Sequence, residues 1–148
     1  MRFNFVKRLV DFTPKDELKE IAGRIERLGH VVIYFEPIDL PELWDFFTAL
    51  PMTIVDHISR PNDTKPVDGP EFAPFLKFMQ ENLNVWTKVS GSERLSVSGP
   101  PALKGEREPY RDFVPFARRI VEEFRTACCG QPTGRIQTSR TCRSFYLI

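Results

Sequence analysis

The sequence predicts an α+β fold in a single domain, residues 1–148, with a mixed sheet of about five strands packed with about four helices. Three observations carry that expectation. Residues 2–36 read as strand–helix–strand, a Gly-Ser dipeptide between alternating segments marks a hairpin near 85–98, and the last residues alternate as a C-terminal strand. The size fits one domain. A chain of 148 residues with 41% hydrophobic and 28% charged residues has ordinary soluble composition and can bury a core without disulfide or metal staples.

The elements follow in order. Phe3, Phe5, Leu9, Val10 and Phe12 alternate imperfectly over a first strand at 2–12. In Thr13-Pro14-Lys15-Asp16-Glu17, Thr13 can cap a helix, Pro14 suits its first position and the acids suit the positive dipole end. Leu18, Ile21, Ala22, Ile25 and Leu28 continue at helical spacing until Gly29, a C-cap residue. His30 to Phe35 is a β-branched and aromatic run, the signature of a strand buried on both faces. A second helix starts at Asp39-Leu40-Pro41-Glu42, buries Leu43, Phe46, Phe47 and Leu50, and stops at Pro51.

Residues 60–70, with three prolines and alternating charges, predict an exposed connection. Phe72, Phe75, Leu76, Met79 and Leu83 then form a third helical stripe, with Phe78 lying off it. In the hairpin, Val85 to Val89 leads into Gly91-Ser92, and Leu95 and Val97 return. The last helix runs from near Asp112 to Ala127, since Pro115 is tolerated only in a first turn. Residues 135–148 form the final strand.

Composition excludes several classes. Lys and Arg total 21 against 20 Asp and Glu, so net charge (+1) names no polyanionic partner. The three cysteines, Cys128, Cys129 and Cys142, are odd in number and crowded at one end, unlike a secreted disulfide framework. No signal-like apolar stretch follows Met1, and no apolar run approaches a membrane span. The expectation is a soluble, intracellular, cytoplasmic protein without membrane association. No zinc-type Cys/His spacing, GxxxxGK[ST] or GxGxxG occurs, so neither metal nor cofactor is expected.

Three functional classes remain. Thirteen Phe and the large rings Trp44, Phe72, Phe78, Trp86 and Tyr110 point to a non-catalytic interaction or assembly module, whether complex subunit, adaptor or inhibitor. Its partner would be another protein or a second copy. The protein-binding residues on this reading are Phe78, Trp86, Trp44 and Tyr110; Phe72 fits its helical stripe and suits the core better.

The first alternative is nucleic-acid binding. From Pro101 onward there are nine basic and five acidic residues, and Arg135, Arg140 and Arg143 alternate near Phe145 and Tyr146. Arginines facing water along an edge strand would look the same. The second alternative is a small enzyme built on Asp56-His57-Ile58-Ser59, where an imidazole adjoins a carboxylate and a hydroxyl; Asp39 is a further acid. Adjacent side chains normally diverge, however, and catalytic partners converge in space rather than in sequence.

Overall fold

The computed structural model describes residues 1–7, 12–100 and 109–130. Strand β1 (Arg2–Asn4) leads through helix α1 (Lys15–Ile25) to β2 (Val31–Tyr34), and the two strands are parallel neighbours. The same unit then repeats. Helix α2 (Leu40–Thr48) leads to β3 (Thr53–Val55) and α3 (Ala73–Glu81) to β4 (Val85–Val89). The short α4 (Ser92–Leu95) and α5 (Val114–Glu123) lead to β5 (Cys128–Gly130). All four pairings are parallel and the strand order is β1-β2-β3-β4-β5.

This corrects the expected α+β class. The architecture is α/β, with helices alternating with parallel strands. Strictly sequential order, without the reversal of a doubly wound sheet, is that of a β/α barrel arc. The hairpin near 85–98 is absent. Gly91 has φ +86° and ψ +11°, the left-handed conformation that starts α4 rather than a type II′ turn. Strand β4 instead lies between two parallel partners, β3 and β5. Strand β3 was not anticipated, because three residues after Pro51 carry no readable period.

The two faces of the sheet differ in chemistry. Phe3, Val31, Ile33, Phe35, Val55, Val85 and Val89 belong to the buried apolar cluster. Helices supply most of the rest of that cluster, including Leu18 and Ala22 of α1, Phe46 and Phe47 of α2, Phe75 and Phe78 of α3 and Phe116 and Ile120 of α5. Phe47 and Phe75 both meet Phe35, at centroid distances of 4.9 and 6.4 Å. Rings at such spacings add to the energy of burial. On the opposite face, Arg2, Val32, Ile54 and Trp86 share one register row. Two residues further along the strands come Asn4, Tyr34, Asp56 and Lys88. In a β/α barrel this face lines the interior, and its polar row lies toward the carboxyl ends of the strands.

Several helical expectations shift. Pro14 is the N-cap of α1 rather than its first residue. Leu28 and Leu83, predicted to face inward, are 87% and 92% exposed because their helices have already ended. Phe12, expected in the first strand, is 94% exposed, and β1 ends at Asn4. Phe78, expected to be an exposed ring, is fully buried. Helix α3 is covered on a second side by α2, and Phe78 meets Trp44 and Phe47 at 5.2 and 6.2 Å. No helix of the described residues is long and apolar enough to cross a membrane. The predicted final strand, with Arg135, Arg140, Arg143 and Cys142, lies outside the described residues.

Candidate active site

The segment after β3 has the least ordinary backbone among the described residues. His57, Ile58, Ser59 and Arg60 all have positive φ, between 44° and 61°. Each left-handed non-glycine residue costs roughly 1–2 kcal/mol, and such strain concentrates where a structure must aim particular side chains. Here Ile58 turns into the apolar core. His57 and Arg60 turn to the polar side.

His57 is held from several directions. Its Nδ1 lies 2.9 Å from the Ser90 Oγ at the end of β4, and its ring meets the edge of Tyr34 at 5.7 Å. Gly91 closes against the same ring, since a Cβ there would fall 2.6 Å from Nδ1. Gly91 is therefore glycine for two reasons, its φ and the imidazole beside it. Burial lowers the His57 pKa from its ordinary 6.5; Asp56 opposes the shift, while Arg2 and Arg94 reinforce it. The ring is neutral at pH 7.

Tyr34 is the hub of the cationic groups. The Arg2 guanidinium lies 4.7 Å and that of Arg60 5.5 Å from its ring centroid. Arg60 also donates a hydrogen bond to the Tyr34 hydroxyl and lies 3.6 Å from Glu36. Asp56, 4% exposed, receives Arg2 at 3.1 Å and Lys88 at 2.9 Å. Its carboxylate thus holds two cations in place, and a buried carboxylate needs such partners.

A cavity of about 460 Å³ opens beside this cluster. Its walls come from the segments that follow β2, β3 and β4, including Glu36, Arg60, Asn62, Glu71 and Arg94. Part of the 60–70 connection, expected to be merely exposed, therefore forms a cavity wall, and Pro61 and Gly69 within it are buried. In β/α barrels the loops after the strands carry the chemistry.

A family profile for amidohydrolases matches residues 1–126. The chain belongs to the amidohydrolase family. A 2-pyrone-4,6-dicarboxylate hydrolase of Comamonas testosteroni is 75% identical over 126 residues, which are 84% of this chain and 41% of the relative. A 4-sulfomuconolactone hydrolase of Hydrogenophaga intermedia is 34% identical over 70 residues, 47% of this chain and 20% of that protein. This amidohydrolase chain thus spans less than half the length of these curated relatives. Among solved structures, a probable 2-pyrone-4,6-dicarboxylic acid hydrolase from Acinetobacter baumannii, with citric acid bound, aligns with a TM-score of 0.65 at 19% identity. That alignment covers 95% of this chain and 50% of the other. An apo structure from Agrobacterium tumefaciens aligns at 0.61 and 21% identity over 90% of this chain and 46% of the other. These alignments agree with the barrel-type α/β architecture.

Membership of the amidohydrolase family overturns the reading as a non-catalytic interaction module. Of the rings invoked for it, Phe78 is buried, Trp44 is half-buried against Phe78, and Tyr110 packs against the core. Trp86 is half-buried on the barrel-interior face. The structure sets Asp56 and His57 side by side at the strand ends but gives them different partners, cations for the acid and Ser90 for the imidazole. Asp39 lies elsewhere, 3.2 Å from Lys7. Among the described residues no three His, Cys, Asp or Glu side chains converge as a metal ion would need, and Asp56 is already occupied by cations.

Sequence reasoning missed Arg2, Tyr34, Arg60, Lys88, Ser90, Gly91 and Arg94. One signal was available. Lys88 in Val85-Trp86-Thr87-Lys88-Val89 is a charge inside an otherwise buried-looking strand, a pattern that fits a polar barrel interior.

Proposed function

We propose that this chain forms part of a hydrolase that opens an anionic lactone, with 2-pyrone-4,6-dicarboxylate as the substrate. The observation that carries this reading is the convergence of Arg2, Arg60 and Arg94 on Tyr34, His57 and the cavity at the strand ends. Guanidinium groups match carboxylates bidentately and stay charged at any working pH. The 75% identical relative is named for hydrolysis of a pyrone dicarboxylate, and the 34% identical one for hydrolysis of a sulfonated lactone. Both names describe a cyclic ester carrying negative groups.

Hydrolysis of such a ring adds water oxygen to the lactone carbonyl carbon and breaks the bond from that carbon to the ring oxygen. The electron pair leaves with the ring oxygen as an enolate, and a proton released by the water neutralises it. Arginines fix the ring through its carboxylates, so that the carbonyl is oriented for attack. They also stabilise the negative charge that develops on the carbonyl oxygen. His57, neutral and with Nδ1 turned to Ser90, presents Nε2 to exchange a proton with the water or the departing oxygen.

The test is turnover by the full chain, followed by loss of the conjugated-ring absorbance. The dicarboxylate is expected to be hydrolysed with a kcat/KM roughly 10²-fold or more above that of unsubstituted 2-pyrone, because a site built for charged groups rejects the analogue that lacks them. No turnover of the dicarboxylate, or equal turnover of both, contradicts the reading.

A further inference from the structure

Residues 90–98 touch the candidate site at three points. Ser90 meets the His57 Nδ1, Gly91 closes on the ring, and Arg94 lines the cavity. Helix α4 within this segment has only four residues, too few to hold its place by its own hydrogen bonds. None of its residues is buried. Leu95 packs against the core, and further groups fix the segment.

The fixing groups are two carboxylates outside the strand ends. Asp112, just before α5, accepts hydrogen bonds from the Ser96 hydroxyl, from the Ser98 backbone N–H at 2.6 Å and from the Ser98 hydroxyl at 2.7 Å. The Ser96 Oγ in turn accepts the Gly99 N–H at 2.9 Å. From the other side, Asp63 accepts the Val97 N–H at 2.8 Å. Asp63 follows Arg60 by three residues, so this bond ties the Arg60 segment to the Arg94 segment. Burial pushes the Asp112 carboxyl up, but the bonds from Ser96 and Ser98 outweigh it and hold the group well below the ordinary carboxylate range. It is a charged acceptor at any working pH, and bonds to charged groups are the stronger kind.

We propose that Asp112 is a positioning residue: by anchoring residues 96–98 it seats Ser90 and Gly91 on His57 and places Arg94 at the cavity, and so sets substrate affinity. Asp112 does not touch the imidazole; it faces Asp63 of the cavity wall and acts through the loop. Asp112 leaves the identity of the chemical step to other groups, so its loss should act on binding more than on turnover. The kinetic arm of the test rests on the hydrolase reading above; the spectroscopic arm does not.

The experiment compares Asp112→Asn with wild type in the full chain. It measures KM and kcat on 2-pyrone-4,6-dicarboxylate and follows the His57 imidazole by NMR titration, its signal assigned with His57→Gln. The variant keeps the shape of Asp112 but faces the Ser98 N–H with a weaker, neutral group. Its KM is expected to rise about tenfold, the scale of losing one charge-assisted hydrogen bond, with kcat little changed. The His57 midpoint should move up toward its ordinary value as the loop loosens and water reaches the ring; Asp56 and Arg2 stay in place, while Arg94 and Glu93, which move with the loop, act on it in opposite directions. Asp112→Glu should not restore wild-type affinity, because the longer side chain displaces the anchor.

An unchanged KM with an unchanged His57 midpoint overturns the proposal, even if the melting temperature falls, since that pattern marks a merely structural residue. If Asp112→Asn does not fold, Ser98→Ala removes one anchor bond and is judged by the same two readouts. Failure of the wild-type chain to hydrolyse the dicarboxylate would refute the hydrolase reading, and the titration would still decide the role of Asp112.

Discussion

Replacing His57 with glutamine lowers kcat/KM by about 10²–10⁴-fold, the usual contribution of a positioned proton-transfer group, while the protein stays folded. The pH behaviour distinguishes this role from a packing effect. Burial lowers the His57 pKa below 6.5, so the wild-type rate is at its plateau at neutral pH and falls as acid protonates the ring. In His57→Gln that limb is absent. Stability follows the same sign. The folded state binds the proton less readily than the unfolded one, so the contribution of the neutral ring is complete above 6.5 and is lost as pH falls below it. His30 is shifted in the same direction by burial, so His57→Gln reduces this slope without abolishing it. A variant with wild-type kcat/KM, or with its acid limb intact, would remove His57 from the mechanism.

Truncating Phe75 to alanine costs ~3–5 kcal/mol in denaturant unfolding, the range for deleting a fully buried ring. Phe75 is 0% exposed and meets both Phe35 behind the sheet and Phe72 beside it. Leu83, only two residues beyond the end of α3, is the control. It is 92% exposed, and Leu83→Ala should stay within about 0.5 kcal/mol of wild type. Similar losses at both positions would mean that α3 does not pack on the sheet in the described way.

The same contrast shows what the sequence reveals and what it conceals. Apolar stripes on α1, α2, α3 and α5 are readable because a helix repeats its buried face several times. His30 to Phe35 is readable as a strand because its residues are apolar on both faces. Strand β3 is only Thr53–Val55, too short for any period. Charged residues at its end and within β4 read as solvent-facing, because nothing local shows that a barrel interior can be polar. Gly91-Ser92 imitates a hairpin turn, although its glycine is required by the His57 ring thirty-four positions earlier.

The site was partly legible for the same reason. Asp56-His57 draws attention as a pair of adjacent reactive groups, yet adjacency is not what makes them useful. What matters is the register that aligns β1, β2, β3 and β4, bringing Arg2, Tyr34, Asp56 and Lys88 onto one face. These residues are far apart in sequence and carry no shared motif. Pairing of the strands places Arg2 and Tyr34 on this face, and the segments after β3 and β4 bring Arg60 and Arg94 to it.

That convergence is the central claim, and binding of a ring that cannot be hydrolysed tests it most directly. Benzene-1,3-dicarboxylate carries its carboxylates in the same relative positions as 2-pyrone-4,6-dicarboxylate but has no ester bond. Calorimetric titration of the full chain should show saturable binding, weakened about tenfold or more by Arg60→Met, as expected for loss of a charge-assisted contact. Binding should also weaken as salt is added. Equal affinity of wild type and Arg60→Met for this dicarboxylate, or no binding to either, would contradict the assignment of the arginine cluster to substrate carboxylates.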